Sequence, residues 1–400
     1  MNVQEKMSLL SLLAYDRCNY RDLSELQDKM KAMLQGYDKT KESLAISEVC
    51  WGPVAKKPDG IDQDDVVSCA LMYIVKHKAT EPEYTLAIRG TNPGSVYSWV
   101  NLDFAVEDLK SWSDVLKDFG PEPMETGKNL ENVKISKATY DALKIHVELK
   151  HENKLTVLDW IKQTINPSDP KKIKLNITGH SLGGVLSTTL ALWLHEKLGK
   201  DKLLQYVDFH IHSFAGPTAG NQEFAKYTND ILKDKYICYI NELDTVTHAW
   251  VEEKMNKEKL SNIYVKGGGA KPFFRFEKNF IAKLDNKSKD GGYTRLVLEE
   301  KDTHYRKIES KVKSVPLFGF PMKTLYSVQA LYQHMMPYFV FSLSYEQTLI
   351  AVDVLNDLYQ SSLKLIWNLV FTGSELEFEI SDEDIEGLRK FIEDELNKQP

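Results

Sequence analysis

Apolar positions recur at helical spacing over residues 7–14 and 23–34, which predicts two N-terminal helices. Two strand-like runs follow at 47–51 and 66–76, and the acidic, turn-rich KKPDGIDQDD between them predicts a long hairpin. Residues 84–88 form a compact strand that ends in Arg89-Gly90-Thr91-Asn92. Trp112, Val115, Leu116 and Phe119 then fall at i, i+3, i+4 and i+7 with Asp and Lys opposite, a short amphipathic helix stopped by Gly120-Pro121. A helical pattern over 136–150 leads through 155–165 to a strand in which Ile173, Leu175 and Ile177 alternate. A mostly apolar helix through Val185, Leu186, Leu190 and Leu194 comes next, followed by strands over 205–214 and 236–240. Strands alternating with helices predict an α/β chain, with a mostly parallel central sheet covered by helices on both faces. Residues 347–370 and the capped, amphipathic SDEDIEGLRKFIEDEL predict a helical C-terminal extension over 342–400.

Composition narrows the classes this chain can belong to. With 400 residues, 42% hydrophobic and 27% charged, it has the make-up of a globular protein with a large core. A net charge of −7 argues against a nucleic-acid binder, which needs a basic face to displace counterions. The longest apolar runs, near 186–194 and 363–371, are shorter than the roughly 20 residues that span a bilayer, so no transmembrane segment is expected. The N-terminal apolar run is broken at Asp16 and Arg17 and has no basic leader or small-residue cleavage site, from which a cytoplasmic location is expected. Cys18, Cys50, Cys69 and Cys238 form no Cys-x-x-Cys pair, and Cys69 and Cys238 lie in strand-like runs, so free thiols are expected. The Asp59, Asp62, Asp64, Asp65 cluster lacks the spacing and closing glutamate of a calcium loop and reads as a solvated turn.

The chemistry concentrates at Gly179-His180-Ser181-Leu182-Gly183. A Gly-x-Ser-x-Gly between a strand and a helix is a nucleophile elbow. The glycines permit a turn too tight for a Cβ, and the serine hydroxyl is lifted off the sheet. The following helix aims its free N–H groups at the same spot. This reading implies the α/β-hydrolase fold, in which an acid and then a histidine follow the serine on loops at the carboxyl ends of strands. Asn241-Glu242-Leu243-Asp244 follows a strand, and Asp244 is the candidate acid, with Glu242 the nearer rival and Asp208 set back inside a strand. His248, His304 and His334 come after it. His248 follows too closely to return over the serine. His304 sits in the charged KDTHYRKIESK, which reads as solvent-exposed, and His334 lies in the apolar SVQALYQHMMPYFVF with Pro337 breaking the chain just beyond. His334 leads and His304 is the alternative. Thr91, after a strand well upstream of the elbow, is the candidate second donor to an oxyanion. The amphipathic helix near it is a candidate lid over 104–128, and core packing of that helix is the alternative.

Taken together, these pieces resemble the class 3 lipase family, which includes the fungal triacylglycerol lipases. LSLLAYD, TLAIRGTN with Trp99 downstream, ITGHSLGG, FAGPTAGNQEFA, NELDTVTH and YQHMMPYF run in the family's order. The resemblance implies a catalytic domain over 1–341. Ser181 would be its nucleophile, Asp244 the orienting acid and His334 the base, with Thr91 and the N–H of Leu182 forming the oxyanion hole. It makes His248 a structural neighbour of the acid and His180 a packing residue. It implies hydrolysis of lipid esters through an acyl-enzyme, with transient contact at a lipid interface and with no metal or organic cofactor. A phospholipase A1, a short-chain carboxylesterase, or a non-catalytic binding protein of the same fold are the alternatives. Two departures stand out: VKISKATY lacks the glycine and phenylalanine of the family's His-x-Gly-Phe, and the long interval from Asp244 to His334 implies an inserted hairpin or subdomain over 250–325.

Overall fold

The computed structural model describes residues 1–36, 42, 44–59, 67–93, 106, 108–119, 130–151, 154–169, 171–251, 257–269, 271–272, 278, 281–282, 285, 292–296, 304–311, 315–317, 320–322, 326–339, 343, 354–355 and 357–358. The chain opens with α1 (Val3–Leu13) and α2 (Leu23–Gly36), then β1 (Ile46–Lys56), β2 (Ala70–His77) and β3 (Glu83–Ile88). Next come β4 (Leu109–Ser111), α3 (Trp112–Asp118), β5 (Lys134–Ser136), α4 (Lys137–Glu148) and α5 (Val157–Thr164). The elbow joins β6 (Ile173–His180) to α6 (Leu182–Lys200), followed by β7 (Val207–Phe214), α7 (Gln222–Leu232) and β8 (Tyr236–Ile240). Then follow α8 (Lys257–Asn262), β9 (Tyr305–Lys307), β10 (Val315–Leu317), β11 (Phe320–Met322) and α9 (Tyr326–Phe339).

Local chemistry explains where several helices begin. Asn2 and Glu5 form a capping box at α1, and Thr156 and Asp159 form another at α5. Ser136 caps α4 and Asn221 caps α7, each accepting a first-turn N–H.

The central sheet has seven strands in the order β1-β2-β3-β6-β7-β8-β9. β1, β2 and β3 pair antiparallel, and β3, β6, β7, β8 and β9 pair parallel. Side chains alternate between its faces with period two. Met72 and Ile74 enter a core with α3 through α7, whereas Leu71, Tyr73 and Val75 enter one with α1, α2 and α9. The sheet is thus covered on both sides, as a parallel sheet requires.

Three readings change in three dimensions. Trp112, Val115, Leu116 and Phe119, the apolar stripe of the candidate lid helix, are each 0% exposed in the main core. Trp112 packs 5.4 Å from Phe224 and Phe119 packs 4.6 Å from Tyr140, ring centre to ring centre. Helix α3 is therefore core. Most of the rest of 104–128 lies outside the described residues, as do 60–66 of the acidic turn and nearly all of 342–400. The charged segment around His304 also proves to be structural. Tyr305–Lys307 is the edge strand β9, and its charges suit an edge because Arg306 and Lys307 face solvent while Tyr305 is buried. Within 250–325 the described residues hold α8, β9 and the β10–β11 hairpin, so part of this interval belongs to the main sheet. Cys18, Cys69 and Cys238 are buried free thiols, and Cys50 is a half-buried one. No helix among the described residues is long and apolar enough to cross a membrane.

Burial holds His77 and His146 down to about 4 and His212 down to about 3. The native protein keeps these rings neutral at a pH where the unfolded chain, titrating near 6.5, takes up protons. Their contribution to stability is fully present above that value and is lost as pH falls from 6.5 towards 4, by up to about 1.4 kcal/mol per pH unit for each ring. The urea midpoint is expected to drop steadily from pH 7 to pH 5. A flat midpoint over that interval would contradict buried neutral histidines.

Candidate active site

The turn between β6 and α6 is strained and tightly enclosed. Ser181 has φ 60° and ψ −127°, a conformation that residues with a Cβ avoid. Its neighbours hold it there: Ser181 N–H donates to the Phe214 carbonyl of β7 at 2.9 Å, and the Ser181 carbonyl accepts from Gly184 N–H at 2.8 Å. A Cβ on Gly179 would overlap the Gly183 carbonyl, and one on Gly183 would overlap the Ile88 carbonyl at the end of β3. Both glycines are therefore demanded by close backbone approach. Gly90 lies against the same turn, since a Cβ there would stand 3.1 Å from the Ser181 Cβ. Thr91 follows it and is buried, and Leu182 begins α6 with an N–H that no helix carbonyl can reach.

From the other side, α9 brings His334 over the serine. Its Nδ1–H donates to Asp244 Oδ2 at 2.9 Å, because a carboxylate only accepts. In the neutral ring Nε2 is then the acceptor, and it lies 2.9 Å from Ser181 Oγ. Asp244 is fully buried and is surrounded by donors. Oδ2 also accepts from Tyr338 O–H at 3.0 Å, and Oδ1 accepts from Val246 N–H at 2.9 Å. Burial and the adjacent carboxylate push the Tyr338 phenol well above its ordinary pKa, so it remains a donor.

The elbow histidine also touches α9. His180 Nε2–H donates to the His334 carbonyl at 2.7 Å, and the His180 ring lies 4.7 Å from the His334 ring and 4.5 Å from that of Phe339. Tyr15 O–H donates to its Nδ1 at 3.2 Å. Burial, with His334 adding to it, holds His180 well below its usual pKa, so the ring stays neutral with its proton on Nε2.

Residues 85–254 match the family model for class 3 lipases. The M37 lipase, a solved structure, is 29% identical over 92% of this chain and 99% of its own, with a TM-score of 0.68. Over residues 85–254 the chain carries the class 3 lipase pattern, and it is similar to a lipase along nearly all of its length. Lipases of Rhizomucor miehei and Rhizopus microsporus var. chinensis also match. The first is 19% identical over 61% of each chain with a TM-score of 0.37. The second is 14% identical over 61% of this chain and 67% of its own, with a TM-score of 0.41. No curated protein matches the chain. These matches support a lipase, a hydrolase of carboxylic esters of lipids, on an α/β-hydrolase fold.

In this lipase Ser181, His334 and Asp244 meet in one hydrogen-bonded run, Leu182 follows the serine at the start of α6, and Gly90, the neighbour of Thr91, lies against it. The alternatives weighed in the sequence have other partners. Glu242 Oε1 accepts from Tyr305 O–H at 2.9 Å, and His248 Nε2–H donates to the Glu242 carbonyl at 2.9 Å. Asp208 bonds His210 and Lys235. The His304 ring stacks on Tyr236 with centres 4.4 Å apart. One expectation fails: Pro337 does not end the helix, which runs on to Phe339. A proline deprives the carbonyl four residues earlier of its helical donor, and that carbonyl, on Gln333, accepts instead from Asn241 Nδ2 at 2.9 Å. Tyr338 was not legible in advance, since a tyrosine in an apolar run is indistinguishable from core.

Tyr338→Phe keeps the ring but strips a donor from the Asp244 carboxylate and an acceptor from Asn241 N–H, which lies 2.8 Å from the phenol oxygen. The variant is expected to be about 1–3 kcal/mol less stable in urea unfolding, the cost of leaving buried polar groups unpaired.

Proposed function

We propose that this lipase cleaves lipid esters, acylglycerols first among them, by acyl transfer through Ser181, with His334 as general base and Asp244 as the orienting acid. The observation that supports this reading is the run from Ser181 Oγ through both ring nitrogens of His334 to Asp244 Oδ2, with each link at 2.9 Å. Ser181 Oγ bonds to the ester carbonyl carbon as its proton passes to His334 Nε2. The carbonyl oxygen becomes an oxyanion and takes hydrogen bonds from Thr91 and from the N–H of Leu182. His334 then returns the proton to the alcohol oxygen as the carbon–oxygen bond breaks. Water, deprotonated in turn by Nε2, releases the carboxylic acid and restores Ser181. Asp244 stays ionised throughout and stabilises the imidazolium.

Ser181→Ala and His334→Ala are each expected to lower hydrolysis of p-nitrophenyl butyrate by at least about a thousandfold, while His304→Ala stays near native activity. Full activity without Ser181 would remove the nucleophile assignment, and full activity without His334 would move the base elsewhere. With triolein, tributyrin and phosphatidylcholine compared side by side, the glycerides are expected to turn over faster. A preference for phosphatidylcholine would point to a phospholipase A1.

A further inference from the structure

Asn241 is 1% exposed and all its polar groups are engaged. Its N–H donates to the Tyr338 phenol oxygen at 2.8 Å, and its side-chain Nδ2 donates to both the Gln333 carbonyl and Gln333 Oε1 at 2.9 Å. Its Oδ1 accepts from Leu243 N–H at 3.0 Å, and its carbonyl accepts from Asp244 N–H at 2.9 Å. One side chain and its backbone thus hold the turn that carries Asp244 and grip α9 on both sides of His334.

We infer that Asn241 is a positioning residue that sets the register between the Asp244 turn and the His334 helix, using a carbonyl that Pro337 leaves free. The inference rests on the roles proposed above for Ser181, His334 and Asp244. In an unbroken helix every interior carbonyl already accepts a bond from four residues on, so a side-chain donor can only share it through the second lone pair, as His180 does at His334. Pro337 has no N–H, so one interior carbonyl is open, and it belongs to the residue immediately before His334. A slip of α9 by one residue would move Asn241 off the carbonyl that Pro337 deprives of its helical donor, and the Gln333 carbonyl would be buried without one. The amide is the group this arrangement requires, since it donates to α9 and accepts from the turn at once. Gln333 is itself held: its Nε2 donates to the Lys311 carbonyl at 3.0 Å, and its Oε1 accepts from Ser310 Oγ at 2.6 Å. Its side chain therefore cannot turn back to cap its own carbonyl.

A double-mutant cycle with Asn241→Ala, Pro337→Ala and the two combined tests this, using kcat and KM on p-nitrophenyl butyrate, with melting temperature and circular dichroism to measure the folded fraction. Asn241→Ala is expected to lower kcat about tenfold or more with KM within about twofold, because small displacements of reacting groups act on the chemical step. With Pro337→Ala present, residue 337 regains an N–H for the Gln333 carbonyl, and the loss from Asn241→Ala should shrink by about threefold or more. Equal losses in the two backgrounds overturn the inference, as does a lowered melting temperature with unchanged kcat. If Asn241→Ala alone does not fold, folding of the combined variant supports the inference and its failure to fold overturns it. Ser181→Ala, assayed alongside, separates the two claims. An inactive Ser181→Ala with no coupling in the cycle refutes only the role of Asn241, whereas an active one refutes the proposed mechanism itself.

Discussion

The structure depends on a serine held at φ 60° between β6 and α6. That conformation is unfavourable for any residue with a Cβ and persists only where its surroundings over-determine it. Here the surroundings are backbone. The Phe214 carbonyl accepts the Ser181 N–H, the first turn of α6 binds the Ser181 carbonyl, and Gly179 and Gly183 let chain segments approach more closely than any side chain would allow. The parallel core of the sheet supplies this crowding, since β3 and β7 flank β6 in register on either side. Long elements packed on both faces then keep those strands in place.

A second constraint is the burial of polar groups around Asp244. Taking a carboxylate out of water is costly unless donors replace the lost hydration. Three donors do so here, from His334, Tyr338 and Val246. Two of them come from a single helix that also meets the elbow through His180. The acid turn, the base helix and the nucleophile turn are therefore connected through hydrogen bonds as well as through packing. Displacing any one of them leaves buried donors or acceptors unpaired in the other two, which makes the arrangement rigid.

Pro337 shows how local rules yield to context. On its own, a proline just after His334 signals the end of a helix, and the chain answers that signal only in part. The helical hydrogen bond is lost, as the proline dictates, but Asn241 fills the vacancy from a distant loop, and Tyr338 and Phe339 bury completely and retain the last turn. The charged segment near His304 misled for a related reason. Charge density reads as a solvated loop, yet an edge strand tolerates charges on its open side while its backbone pairs with β8.

By itself the sequence determined what depends on neighbours along the chain. The period-two and helical patterns and the strand-turn-helix with its paired glycines specified the α/β class, most of the elements and Ser181 as the reactive hydroxyl. Chain order narrowed the acid and base to a few candidates. Which histidine reaches the serine was left to the tertiary structure, because His334 and Asp244 lie 90 residues apart and Ser181 and His334 153 apart. So was the burial of Trp112 and Phe119, since an amphipathic stripe has the same pattern whether it covers a core or a cleft. The Asn241, Gln333 and Tyr338 bonds were undetectable for the same reason: directional contacts between distant polar groups leave no periodic trace in the chain that makes them.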